Sequence, residues 1–132
     1  EDYARKRGLQ GKSLLILLWI YRHPKGISQQ TITRHTYSTK QVVNAVIKNF
    51  SKKGYIKSTV HPKDRRKKLI MLTEKGRQFA AFIIDPMDEA EKKAFSQLSA
   101  KQQQTLIETT HLFTDVLTQE FMRLIKEICP DI

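Results

Sequence analysis

Apolar side chains change their spacing several times along the 132 residues of this chain. From Leu14 to Ile20 every position is apolar, the pattern of a short helix packed on several sides. Gly11 to His23 is read as that helix, stopped by Pro24-Lys25-Gly26. Ser28 suits the N-cap of a second short helix from Gln29 to about His35, with Ile32 and Ile27 facing inward. Tyr37 and Ser38 form a turn. A third helix, from about Thr39 to Lys53, sets Val43, Val46, Ile47 and Phe50 on one face at three- and four-residue steps, and Gly54 ends it. Tyr55 to His61 and Lys68 to Leu72 read as strands around the basic turn Pro62-Lys63-Asp64-Arg65-Arg66-Lys67, which predicts a hairpin with a charged loop.

Thr73, with Glu74 in the first turn, opens another helix through Phe79, Ala80, Phe82 and Ile83. Pro86 is expected to kink or break it near Ile84, with Met87 to Ser96 continuing helically. Ser99 and Gln102 have capping-box spacing, and no Gly or Pro follows until after Cys129. A helix of roughly 30 residues spans about 45 Å, and its stripe Leu106, Phe113, Leu117, Phe121, Leu124 and Ile128, widened by Ile107, Met122 and Ile125, needs a cover. A second copy of the chain is the expected cover, so those six residues are the candidate dimer interface. Residues 1–10 have too few apolar positions for a core helix and read as a basic arm or helix stub.

The expected fold is therefore mainly α with a small β-hairpin wing, a winged helix-turn-helix plus long dimerisation helices. Residues 11–85 would form the winged helix-turn-helix lobe and 86–132, with 1–10, the dimerisation region of one compact domain. At 39% apolar and 28% charged, the chain has the composition of a soluble domain. Leu14 to Tyr21 is far short of the roughly 18 to 20 residues of a membrane span, so no membrane is expected as a partner. A single cysteine, Cys129, fits a reducing compartment.

Charge sharpens this picture. Residues 3–79 hold 19 Lys and Arg but only two acids, Asp64 and Glu74, whereas residues 80–132 hold five bases and nine acids. Such asymmetry points to a polyanion, because cations that neutralise phosphates release condensed counterions. Helix, turn, helix and basic hairpin coincide with the positive peak. The polar face of the third helix carries Thr39, Lys40, Gln41, Val42, Asn44 and Lys48. Gln and Asn can pair bidentately with adenine, Lys can donate to guanine, and an apolar side chain can meet a thymine methyl. The wing candidates are Lys63, Asp64, Arg65, Arg66 and Lys67, with Asp64 able to pair with an Arg and orient it. Ser28, Gln29 and Arg34 are candidates for the DNA backbone.

The stretches Gly54-Tyr55-Ile56, Asp64-Arg65-Arg66 and Leu72-Thr73-Glu74-Lys75-Gly76 resemble, in order and spacing, the signature of the MarR (multiple antibiotic resistance regulator) family. Pro86 and Leu98-Ser99 also fall where that family has counterparts, and the resemblance covers about residues 11–129. It implies a dimeric bacterial transcriptional regulator, usually a repressor, that is cytoplasmic and nucleoid-associated. It also implies a pseudo-palindromic double-stranded operator and a small-molecule effector of unidentified chemistry, acting between the DNA-binding lobe and the dimer helices. By position, Arg66 would enter the minor groove with Asp64 holding it. Two departures stand out. Asn44-Ala45 occupies the place of a common Thr-Arg, and only ten residues precede the Gly11 to His23 segment, where relatives have a whole helix.

Other signals lead nowhere. Gly11-Lys12-Ser13 lacks the earlier glycine of a phosphate loop, since position 6 is Lys6. The four histidines are scattered, with no metal-ligand spacing. Asn49-Phe50-Ser51 is a glycosylation sequon only by letter, and Cys129 beside Glu127 lacks the positive surroundings of a reactive thiol. No cofactor, metal site or catalytic residue is expected. The rival functions are a sequence-independent architectural nucleic-acid binder and a winged-helix protein-interaction module.

Overall fold

The structure, a computed structural model, describes residues 1–129, and residues 130–132 of the expected dimerisation region lie outside the described residues. Its elements are α1 (Asp2–Lys6), α2 (Ser13–Tyr21), α3 (Gln29–His35), α4 (Lys40–Lys52), β1 (Ile56–His61), β2 (Asp64–Leu72), α5 (Glu74–Ser96) and α6 (Ala100–Ile128). The contacts define two units, Glu1–Asp88 and Glu89 onward.

In the first unit, α2 is the central rod, with Ile16, Leu17 and Ile20 buried. Around it lie Ile32 of α3, Val43 and Phe50 of α4, and Ala80, Ile83 and Ile84 of α5, all buried. Trp19 stacks on His35 (ring centroids 4.4 Å apart) and on His23 (5.6 Å), so two of the scattered histidines serve packing. Tyr21 donates its hydroxyl to Asp85 (2.8 Å), and this bond, with partial burial, holds the phenol above its usual pKa and clasps α2 to α5.

The N-terminal segment carries the short helix α1 and docks on the core. Ala4 and Leu9 are buried, the Tyr3 hydroxyl donates to the Ile83 carbonyl (2.7 Å), and the Arg7 guanidinium lies 4.2 Å from the Phe82 ring centroid. Two small contacts, one part-buried tyrosine hydroxyl bond and a cation–π pair dock a segment too polar to register as core.

The strands pair antiparallel, and Ile27 adds a bridge to Ile70 through both backbone bonds (3.0 and 2.8 Å), which ties the start of α3 to the wing. Gly26 makes that approach feasible. Its φ is +106°, and a Cβ there would stand 2.8 Å from Leu69 Cβ.

Pro86 does not break its helix, because α5 runs unbroken from Glu74 to Ser96. Proline removes one donor, the one that would reach the Phe82 carbonyl, and both residues are exposed, so water can satisfy that oxygen. The second unit contains α6, which Ser99 and Gln102 start with a complete capping box. None of its residues is buried, and Leu106, Phe113, Leu117, Phe121, Leu124 and Ile128 are all exposed.

Candidate nucleic-acid interface

The helix pair is built from its caps. Ser28 accepts the Thr31 N–H (3.1 Å) and shares a second bond with the Thr31 hydroxyl (2.8 Å), so this backbone-contact candidate already starts α3. Thr39 does the same for α4 by accepting the Val42 N–H (3.3 Å). Between them, Thr36 is fully buried and its carbonyl accepts from Lys12 Nζ (2.9 Å), which fixes the turn. Because α4 buries Val43 and Phe50 on one side, its other side leaves Lys40, Gln41, Val42, Asn44 and Lys48 exposed.

Two shallow grooves mark where these candidates converge. One, of about 470 Å³, is lined by Gln29, Gln30, Thr33, Arg34, Lys40 and Asn44. The other, of about 560 Å³, runs between α3 and the wing and includes Ser28, Gln29, Arg34, Arg66, Lys67 and Lys68. Gln41, Val42, Lys48, Lys63, Asp64 and Arg65 line neither groove. Within the first groove the Gln29 side-chain amide donates to Asn44 Oδ1.

The wing is tighter than its sequence suggests. Asp64 to Lys67 belong to β2, so the turn shrinks to Pro62-Lys63, where the Lys63 N–H is accepted by His61 Nδ1 (3.1 Å). Pairing then jumps from Val60↔Lys68 to His61↔Asp64, leaving Arg65, Arg66 and Lys67 without partners across the hairpin. This is a bulge of three cations. Asp64 accepts the backbone N–H of Arg66 (3.0 Å) rather than its guanidinium, so it fixes the bulge and leaves the arginine's charge free.

That charge is uncompensated. Among the described residues, ion pairs involve Arg5, Arg22, Lys92 and Arg123, and none involves Arg34, Lys40, Lys48, Lys63, Arg65, Arg66, Lys67 or Lys68. Gln30, Thr31 and Thr33 line the grooves without having been singled out, although Gln30, Thr33 and Arg34 recur at helical spacing on α3. Tyr37 is the larger omission. It is 92% exposed at the helix-turn-helix corner, with φ +49°, a conformation that costs a non-glycine residue energy.

Residues 7–67 match the model of the MarR family. No curated protein matches the chain in sequence. Similar solved structures include the Staphylococcus aureus regulator MepR in its DNA-binding conformation, with 23% identity, a TM-score of 0.71, and 88% of this chain and 85% of that one covered. The S. aureus MepR–DNA complex gives 22%, 0.70, 88% and 84%, and S. aureus MepR bound to ethidium bromide gives 23%, 0.61, 88% and 86%. At such identities the likeness establishes a shared winged-helix fold.

Proposed function

We propose that this chain, whose residues 7–67 match the MarR family model, is a DNA-binding transcription regulator of that family that acts as a homodimer on a pseudo-palindromic operator, as a repressor released by a small molecule. The observation that carries DNA reading is the unpaired cationic face, where α3, the polar side of α4 and the bulged wing share two adjoining grooves. A helix of this kind fits the major groove, and unpaired arginines suit the stronger potential of a narrow minor groove.

Two copies, joined through the exposed stripe of α6, would present two α4 helices to a duplex whose half-sites repeat about one turn apart, roughly 34 to 36 Å. The proposed response to a small molecule is supported by the likeness to MepR, whose structures include a DNA complex and an ethidium-bound form.

Selection of duplexes from a random pool, followed by affinity measurement, tests the reading. The expected product is an inverted repeat bound by two chains, at least about a thousandfold tighter than unrelated DNA. Equal affinity for all duplexes would identify an architectural binder instead, and no binding to any duplex would leave a protein-interaction module.

A further inference from the structure

Asn44 stands on the exposed side of α4, where a base-reading amide belongs, and its Oδ1 accepts from the Gln29 amide. An asparagine offers one carbonyl oxygen and two N–H donors. Bidentate reading of adenine needs Oδ1 to accept from N6 while Nδ2 donates to N7, and the bond to Gln29 turns the Asn44 carbonyl toward α3 with one of its two lone pairs engaged. Turning the amide over would cost the bond to Gln29. Asn44 Nδ2, by contrast, has no partner among the described residues. Gln29 is well placed to hold this arrangement, since it is the first residue of α3, directly after the Ser28 cap, and its carbonyl accepts from the Thr33 hydroxyl (2.8 Å).

We propose that Gln29 is a positioning residue that fixes the Asn44 amide as a hydrogen-bond donor, so that the base under Asn44 is chosen for its major-groove acceptors. Guanine, with O6 and N7, satisfies that donor best, and cytosine, which offers only its N4 donor, satisfies it least. This rests on the operator reading proposed above and adds a base preference to it. Gln29 then serves specificity through Asn44, beyond any contact of its own with phosphate.

The test compares wild type, Asn44→Ala, Gln29→Ala and Gln29→Glu on the selected duplex and on duplexes carrying each alternative base pair at every half-site position. Wild type is expected to favour guanine over cytosine about tenfold at one position, and Asn44→Ala to flatten that preference alone. Gln29→Ala should flatten the same position while leaving the others unchanged. In Gln29→Glu, a carboxylate that can only accept draws in Asn44 Nδ2 and turns Oδ1 outward, so preference should switch to a donor-bearing cytosine or adenine. Both Gln29 substitutions are at a partly exposed position outside the core, and glutamate suits the first turn of a helix. Uniform weakening on all duplexes by both Gln29 variants, with no switch, would overturn the proposal and leave a plain backbone contact. Base preference in wild type that Asn44→Ala does not alter would overturn it while sparing the operator reading. A wild type without any preference would sink both.

Discussion

Gly76 shows how a single atom can be decisive. Its Cα lies against the backbone of Tyr55, and a Cβ would stand 1.8 Å from the Tyr55 carbonyl oxygen. Thr73 completes the joint: its N–H donates to that same carbonyl (2.9 Å), its hydroxyl donates to the Gly54 carbonyl (2.6 Å), and Tyr55 stacks on Phe79 at 4.3 Å. The end of the α4 helix is thereby locked to the start of α5. Gly76→Ala should destabilise the chain by about 2 kcal/mol or more in urea denaturation, because backbone must move to admit the methyl group; a loss below about 0.5 kcal/mol would show that the joint yields. Tyr37 predicts the opposite sign. With φ +49° and no burial to offset it, Tyr37→Asn should raise stability by about 1 kcal/mol in thermal unfolding, and a lower melting temperature would mean that the exposed ring stabilises the turn. Both glycine-containing signatures were legible in the sequence as motifs. Their reason was not, because the clash that enforces Gly76 comes from a distant stretch of chain.

Among the elements, the helices followed from periodicity and caps, since Ser28, Thr39 and Ser99 each accept the N–H that their positions predict. The wing and α5 were less readable. A run of basic residues gives no alternation from which to place a strand, so Asp64 to Lys67 looked like loop although they bulge within β2. The bulge makes Arg66→Ala informative: affinity for the selected duplex should fall about tenfold, near 1.4 kcal/mol, with melting temperature unchanged. Unchanged affinity would remove Arg66 from the interface. The break that Pro86 could have caused in α5 does not occur, since the single lost bond lies on an exposed side of a helix anchored by Ile83 and Ile84. Restoring the donor in Pro86→Ala should raise stability by about 1 to 3 kcal/mol on thermal denaturation, and no gain would show that the proline is accommodated without cost.

On the scale of the whole molecule, charge and exposed apolar surface divide the work. The first 79 residues hold most of the positive charge, and α6 leaves its apolar stripe uncovered in the single chain. Both asymmetries were legible as counts and spacing, whereas the convergence of α3, α4 and the wing on shared grooves depends on tertiary placement. Under the proposed assembly, replacing Phe113 and Leu117 together by Glu should give monomers in analytical ultracentrifugation, and persistence of the dimer would move its interface elsewhere.

The most direct measurement for the central claim, that this unpaired cationic face grips DNA, is the affinity for one selected duplex across a series of salt concentrations. A dimer that neutralises on the order of 8 phosphates should lose affinity along a log–log slope of about −7, more than a thousandfold between roughly 50 and 200 mM salt. Affinity that is nearly flat over that range would contradict the account.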